Sequence, residues 1–136
     1  MIYERKIAVE FNHCDPAGIV FYPRYFEMTN SVVENFFAEV VGFSFAKMMV
    51  KQVGIPTARI EVNFLAPSQL GDQLAFSLQV QRIGRASATL RITGICGSET
   101  RLIADITLVW VNNAVKVPAP WPAAIRDILT TYSEAA

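Results

Sequence analysis

The chain has 136 residues with 52% hydrophobic and 18% charged side chains, and its 12 basic and 12 acidic residues give a formal net charge of zero. This length predicts a single domain spanning residues 1–136, and the scattered, balanced charges argue against a nucleic-acid-binding surface. Because the average globular domain is only about 45–50% apolar, the excess predicts a homo-oligomer that buries sheet or helix faces between subunits.

The N-terminal residues do not resemble a targeting signal. Three charges fall within the first six residues, and the pattern alternates instead of forming an apolar run. No stretch approaches the roughly 18 apolar residues of a membrane span, so no membrane association is expected. Cys14 and Cys96 are expected to be free thiols in a reducing cytoplasm, because no secretory signal accompanies them.

The first half of the chain predicts a strand followed by one long helix. Residues 2–11 alternate as a strand does, and residues 12–18 form a loop rich in Asn, Asp, Pro and Gly. From about Pro23 to Val41, apolar residues recur every three or four positions, which predicts an amphipathic helix of about five turns. Pro23 is typical of a first helical turn, and Gly42 is typical of the position just beyond a helix end.

The second half predicts four consecutive strands. Arg59–Phe64 alternates and is followed by turn residues, residues 73–81 and 87–93 alternate around a hairpin turn at Gly84-Arg85, and a further strand runs from about Arg101 to Val111. Both faces of that last strand are largely apolar, which is typical of a central strand. After three prolines, Trp121–Thr131 predicts a short closing helix.

This order predicts an α+β domain in which an antiparallel sheet packs on a central helix. A ferredoxin-like domain is the main alternative on pattern alone. It needs a second full-length helix between strands, and the sequence shows none.

Several catalytic classes are excluded by residue content. His13 is the only histidine, no GxSxG elbow is present, and one histidine with two distant cysteines offers no zinc spacing. No GxGxxG or Walker sequence indicates a nucleotide cofactor. We therefore expect neither a metal nor a cofactor.

What remains is the polar loop around Asp15. Pro16 restricts Asp15 to extended backbone geometry, and Gly18 permits a tight turn. If the segment is extended, His13 and Asp15 face one side, where they could form a hydrogen bond, and Cys14 faces the other. On these residues alone, an Asp-Pro pair is more often turn chemistry than a catalytic group, and Cys14 is more often a small buried hydrophobe than a nucleophile.

The stretch from Phe11 to Tyr25 resembles the active-site signature of 4-hydroxybenzoyl-CoA thioesterases. The resemblance rests on Cys14-Asp15-Pro16-Ala17-Gly18-Ile19-Val20, followed by Phe21-Tyr22-Pro23 and Tyr25. It continues more loosely through residues 63–67, 70–74 and 85–87. This resemblance implies the hot-dog fold, an antiparallel sheet of about five strands wrapped around one long central helix, with a short C-terminal helix.

The resemblance also implies residue roles. Asp15 would attack the thioester carbonyl or activate a water that does so, and the backbone N–H of Tyr22 would donate to the developing oxyanion. Arg82 and Arg85, near a hairpin tip, would pair with the phosphates of CoA. The residues expected next to the substrate are His13, Gly18, Tyr25 and Asn30.

The expected reaction is hydrolysis of an aromatic acyl-CoA, 4-hydroxybenzoyl-like or benzoyl-like, or of another small acyl-CoA. Asn30 stands where the 4-hydroxybenzoyl enzyme has an acid for the ring hydroxyl, and an amide binds a phenol more weakly than a carboxylate does. His13 also replaces an acid of the motif. The alternatives are a non-catalytic acyl-CoA-binding protein and an enoyl-thioester hydratase. The family resemblance implies either a dimer or a homotetramer that is a dimer of dimers, with active sites between subunits.

Overall fold

The computed structural model describes residues 1–134. Its principal strands and helices follow the predicted order of one strand, one long helix, four strands and a closing helix. In chain order the elements are β1 (Tyr3–Ala8), α1 (Arg24–Phe36), α2 (Phe45–Lys51), β2 (Val53–Gly54), β3 (Thr57–Phe64), β4 (Gln73–Ile83), β5 (Ser87–Cys96), β6 (Glu99–Val109), β7 (Val111–Asn112), β8 (Val117–Pro118) and α3 (Ala123–Thr131). None of the described helices is long and apolar enough to cross a membrane.

A five-stranded antiparallel sheet in the order β1-β4-β5-β6-β3 forms the main layer. Alternate side chains of β4, β5 and β6 are buried, as period-two alternation requires of a sheet with one covered face. Helix α1 contacts the sheet at β1 and β4. β6 lies between β5 and β3, so the prediction that it is a central strand is confirmed. With α1 packed on one face of the sheet and α3 at the end of the chain, the architecture is the hot-dog fold.

The long helix begins and ends close to the predicted positions but changes its winding. Pro23 occupies the N-cap, α-helical geometry ends at Phe36, and residues 37–41 form a π-helical turn. Gly42 follows with a φ of 76°, a left-handed conformation that glycine adopts without a Cβ penalty. Phe36 and Phe37 are completely buried at this junction, so the π turn keeps both rings in the core.

Four short elements were absent from the sequence prediction. Helix α2 begins after Ser44, whose hydroxyl accepts a hydrogen bond from the Lys47 N–H at 3.1 Å. Strands β2, β7 and β8 form a separate three-stranded sheet of two-residue strands. Such short segments carry too little periodicity to be recognised from the sequence.

The edge strand β3 is less covered than the rest of the sheet. Ile60 and Phe64 point toward the same face as the buried residues Ile106 and Leu102, with which they pair, yet they remain 42% and 46% exposed. Helix α1 therefore leaves an apolar strip open along the β3 edge.

Candidate active site

Asp15 lies in a tight turn whose hydrogen bonds fix its carboxylate. The Gly18 N–H donates to the Asp15 carbonyl at 3.0 Å, and the Asp15 N–H donates to the Ile19 carbonyl at 3.0 Å. Gly18 has a φ of 80°, which explains the glycine in this turn. Asp15 Oδ1 accepts a hydrogen bond from the Ala17 N–H at 2.9 Å. The half-buried carboxylate thus keeps one oxygen, Oδ2, without a donor in residues 1–134.

This turn is held by two neighbouring segments. The Phe21 N–H donates to the His13 carbonyl at 2.9 Å, which ties the turn to the start of α1. The Val20 N–H donates to the Ser68 carbonyl at 2.8 Å, and the Leu70 N–H donates to the Gly18 carbonyl at 3.1 Å. The position of Asp15 therefore depends on the loop before β4 as well as on α1.

The start of α1 leaves one backbone donor unused. The N–H groups of residues 24, 25 and 26 donate to the carbonyls of residues 21, 22 and 23, and Pro23 has no N–H. Over the described part of the chain, the Tyr22 N–H has no acceptor. It stands at the end of the helix where the macrodipole favours negative charge. The residue before Tyr22 is Phe21, whose N–H donates to the His13 carbonyl two residues before Asp15.

Aromatic rings surround the start of α1. The Phe64 ring on β3 lies 6.0 Å from the Tyr22 ring, 5.7 Å from the Tyr25 ring and 6.4 Å from the Phe26 ring, measured between centroids. Tyr25 is only 4% exposed, so its ring packs in the core next to Phe64. Its predicted place beside the substrate stays a prediction.

His13 adopts a different geometry from the one predicted. Residues 11–13 form a turn of 3₁₀ helix, so the assumption of an extended segment is wrong there. The His13 Nδ1 atom accepts a hydrogen bond from the Glu10 N–H at 2.9 Å, and no hydrogen bond joins its ring to Asp15 in the portion described. The imidazole is oriented by its own backbone turn. Cys14 and Cys96 are both free thiols.

A cavity of about 610 Å³ lies between α1, α2 and the β3 edge. From α1 it is lined by Phe26, Thr29, Asn30 and Val33, and from the sheet by Ile60, Ile106 and Leu108. Among the predicted site residues, Asn30 alone lines it. The remaining lining comes from residues that the sequence analysis missed, in α2, in residues 53–57 and at Asn113. Ser44, the N-cap of α2, is the one local sequence signal for the part of the lining that α2 contributes.

Arg82 and Arg85 lie at the opposite end of the sheet from Asp15. Arg82 is near the end of β4 and Arg85 is in the exposed turn before β5, whereas the Asp15 turn contacts residues 68–70, just before β4 begins. Because β4 has 11 residues and a strand rises about 3.4 Å per residue, the two ends are roughly 30 Å apart. One chain does not bring these arginines to Asp15.

A family model described as the thioesterase-like superfamily matches residues 9–129. The chain belongs to this superfamily. This membership places it among the thioester hydrolases and agrees with the hot-dog architecture.

Individual thioesterases are also similar to the chain. The 4-hydroxybenzoyl-CoA thioesterase of Pseudomonas sp. (strain CBS-3) is 26% identical over 111 residues, which cover 80% of this chain and 77% of the relative. A solved gentisyl-coenzyme A thioesterase is 25% identical with a TM-score of 0.81, covering 93% of this chain and 99% of the other. The 1,4-dihydroxy-2-naphthoyl-CoA thioesterase of Synechocystis, 16% identical with a TM-score of 0.87 and 96% of both chains covered, shares the fold.

Metal-binding side chains are not gathered at this site. Within residues 1–134, no three His, Cys, Asp or Glu side chains are close enough together to hold a metal ion.

Proposed function

We propose that this protein hydrolyses an aromatic acyl-CoA to the free acid and CoA in the cytoplasm, with Asp15 as the reacting carboxylate. The observation that carries the proposal is an unused backbone donor, the Tyr22 N–H, next to the segment that is hydrogen-bonded to the Asp15 turn. A hydrogen bond joins the Asp15 segment to Phe21, the residue directly before Tyr22. The names of the similar proteins, which act on 4-hydroxybenzoyl-CoA and gentisyl-coenzyme A, support an aromatic acyl group.

The chemistry follows from the two groups. Asp15 Oδ2 either adds to the thioester carbonyl carbon or removes a proton from the water that adds. In both routes negative charge develops on the acyl oxygen, and the Tyr22 N–H donates to it. The C–S bond then breaks and CoA leaves as the thiolate. In the nucleophilic route, water subsequently cleaves the Asp15 anhydride and restores the carboxylate.

The remaining predicted residues have supporting parts in this proposal. Gly18 permits the turn that presents Asp15, and His13 accepts a hydrogen bond that holds the turn before it. Tyr25 packs against Phe64 beside the start of α1. Asn30 lines the cavity, where its amide would bind a substituent of the acyl group. Arg82 and Arg85 would bind the phosphates of CoA.

A second copy of the chain would complete the site. The edge strand β3 has an open apolar strip. If β3 of a second copy paired antiparallel with it about a two-fold axis, the partner's sheet would be turned end to end relative to the sheet of the first chain. That pairing brings the partner's Arg82 and Arg85 to the end of the sheet that carries Asp15. We propose that the protein is a dimer with shared sites, or a dimer of dimers.

The decisive experiment replaces Asp15 and measures thiol release from benzoyl-CoA and 4-hydroxybenzoyl-CoA. We expect Asp15→Asn to lower kcat by at least ~10²-fold, because positioned acid–base groups contribute about that much or more. Asp127→Asn is the matched control, since Asp127 is exposed on α3 and distant in sequence from the loop. Full activity in Asp15→Asn would refute the proposed chemistry.

The same assay separates the alternative functions. A non-catalytic acyl-CoA-binding protein would bind these thioesters without releasing thiol. An enoyl-thioester hydratase would instead remove the enoyl absorbance of a 2-enoyl-CoA while leaving the thioester intact.

A further inference from the structure

The cavity lies along a face of α1 that starts close to Tyr22. Tyr22 lies just before α1, and Phe26, Asn30 and Val33 lie on it. The four follow one another at steps of four, four and three residues, so the three helical residues form one stripe that starts one step after Tyr22. The last three of them line the cavity, and the Phe64 ring contacts both the Tyr22 and Phe26 rings. A thioester carbonyl at the Tyr22 N–H would therefore direct its acyl group into this cavity.

The cavity is much larger than one aromatic ring requires. Its volume is about 610 Å³, whereas a cavity of about 150 Å³ is sufficient to bind benzene. From Phe26 to Val33, seven helical steps of about 1.5 Å give a length of roughly 10 Å. A benzoyl group would leave most of this volume unfilled, and unfilled volume contributes no contacts to binding.

The lining contains no charged side chain. Apolar residues from α1, α2 and the sheet make up most of it, and the polar members are Thr29, Asn30, Thr57 and Asn113. The Thr29 hydroxyl already donates to the Phe26 carbonyl at 3.3 Å. An ionised acyl group would lose hydration here without gaining a counter-charge. The lining therefore favours an uncharged acyl group.

Asn113 lines the cavity at the end far from Tyr22. Thr57 pairs with Leu108 at that end of β3, whereas Phe64 pairs with Leu102 at the Tyr22 end. The Asn113 N–H donates to the Gln52 carbonyl at 2.8 Å, which holds its turn against the segment after α2. Its amide nitrogen lies 2.8 Å from the position that a Cβ on Gly54 would occupy. The Asn113 side chain makes no hydrogen bond within the described residues.

We propose that the acyl substrate is an uncharged group larger than a single aromatic ring and that Asn113 determines its permitted length. This inference rests on the proposed function, because it assigns the acyl group of that same site. The amide of Asn113 contacts the distal part of the acyl group, so a larger side chain at this position shortens the cavity.

The test compares kcat/KM for 2-naphthoyl-CoA and benzoyl-CoA. We expect the naphthoyl thioester to be favoured by at least ~10-fold, because even one added methylene in an apolar pocket is worth about 10–200-fold. Asn113→Phe lowers the naphthoyl-to-benzoyl ratio by about the same factor. Val115→Phe is the matched control, since Val115 is exposed in the same turn and does not line the cavity, and it leaves the ratio unchanged.

Binding to Asp15→Asn separates this inference from the proposed function. Calorimetric titration with the two thioesters reports the size preference even when no thiol is released. If neither thioester is hydrolysed by the unmodified protein, the proposed function fails. If benzoyl-CoA is bound or hydrolysed as well as naphthoyl-CoA, or if Asn113→Phe leaves their ratio unchanged while the variant remains folded, the inference about substrate size is wrong.

Discussion

At the scale of single residues, the Asp15 site depends on backbone groups as much as on side chains. The turn that presents the carboxylate is closed by main-chain hydrogen bonds, and the proposed oxyanion donor is the Tyr22 N–H. Tyr22 is 58% exposed, and its ring does not touch the reacting atoms in this scheme. The identity of the side chain at position 22 should therefore matter less than the presence of its amide hydrogen.

Replacing Tyr22 by proline tests that distinction. Proline removes the N–H, so we expect kcat to fall by about 10²–10³-fold, as for the loss of one oxyanion donor. Tyr22→Phe retains the N–H and should keep kcat within a few-fold. Thermal unfolding of both variants serves as the folding control, because proline also restricts Phe21. Equal loss of kcat in a folded Tyr22→Phe variant would contradict the backbone role.

At the scale of elements, a loop joined to β6 supports the Asp15 turn. Arg101 on β6 donates through Nη1 to the Pro67 carbonyl at 3.0 Å and to Asp72 Oδ2 at 2.7 Å. The Gln69 N–H also donates to Asp72 Oδ2, at 2.9 Å. Residues 68–70 of this loop in turn bind the Asp15 turn. The ion pair between Arg101 and Asp72 thus holds residues 67–72, and through them it holds the Asp15 turn.

The pH dependence of stability should reveal this ion pair. The Gln69 N–H, followed by the Arg101 guanidinium, lowers the pKa of Asp72 from its usual 3.8. The folded state therefore binds the proton more weakly than the unfolded state does. The stabilisation is fully present above the unfolded pKa and is lost as the pH falls through the folded pKa.

We expect the free energy of unfolding to decrease less steeply below about pH 4 in Asp72→Asn than in the unmodified protein. Urea unfolding at a series of acidic pH values measures this slope. Asp127→Asn, which removes an exposed carboxyl on α3, is the control variant. An unchanged slope in Asp72→Asn would show that the pair contributes nothing to acid stability.

At the scale of the whole molecule, the separation of Asp15 from Arg82 and Arg85 predicts shared sites. Mixing an Asp15→Asn variant with an Arg82→Ala/Arg85→Ala variant, followed by subunit exchange, forms hybrid dimers. One site of each hybrid then has both the intact carboxylate and the intact arginines. We expect thiol-release activity above the sum of the separate variants. Activity that remains additive after demonstrated exchange would place each site within one chain.

The sequence predicted those parts of the molecule whose signal is local. The three- and four-residue spacing of α1 and the alternation in β4 to β6 mark faces that must be buried, and burial of one face per element defines the hot-dog layers. Asp15, Pro16 and Gly18 likewise specify a turn through their own backbone preferences. Their roles in catalysis remain proposals that the family resemblance supplied.

Only the tertiary structure decided which distant residues meet. The hydrogen bond from the Glu10 N–H turned His13 away from the extended geometry that the sequence suggested. Asn30 and Asn113 line one cavity although they are 83 positions apart in the chain. The segments α2 and β2, which form other walls of this cavity, carry no strong periodicity of their own. The sequence alone determined the layers and the Asp15 turn because these follow from local spacing. The tertiary structure decided how far the cavity extends, because this depends on which distant segments are brought together. It also decided that the Tyr22 N–H has no acceptor in the described residues, because this depends on which groups are left without a partner.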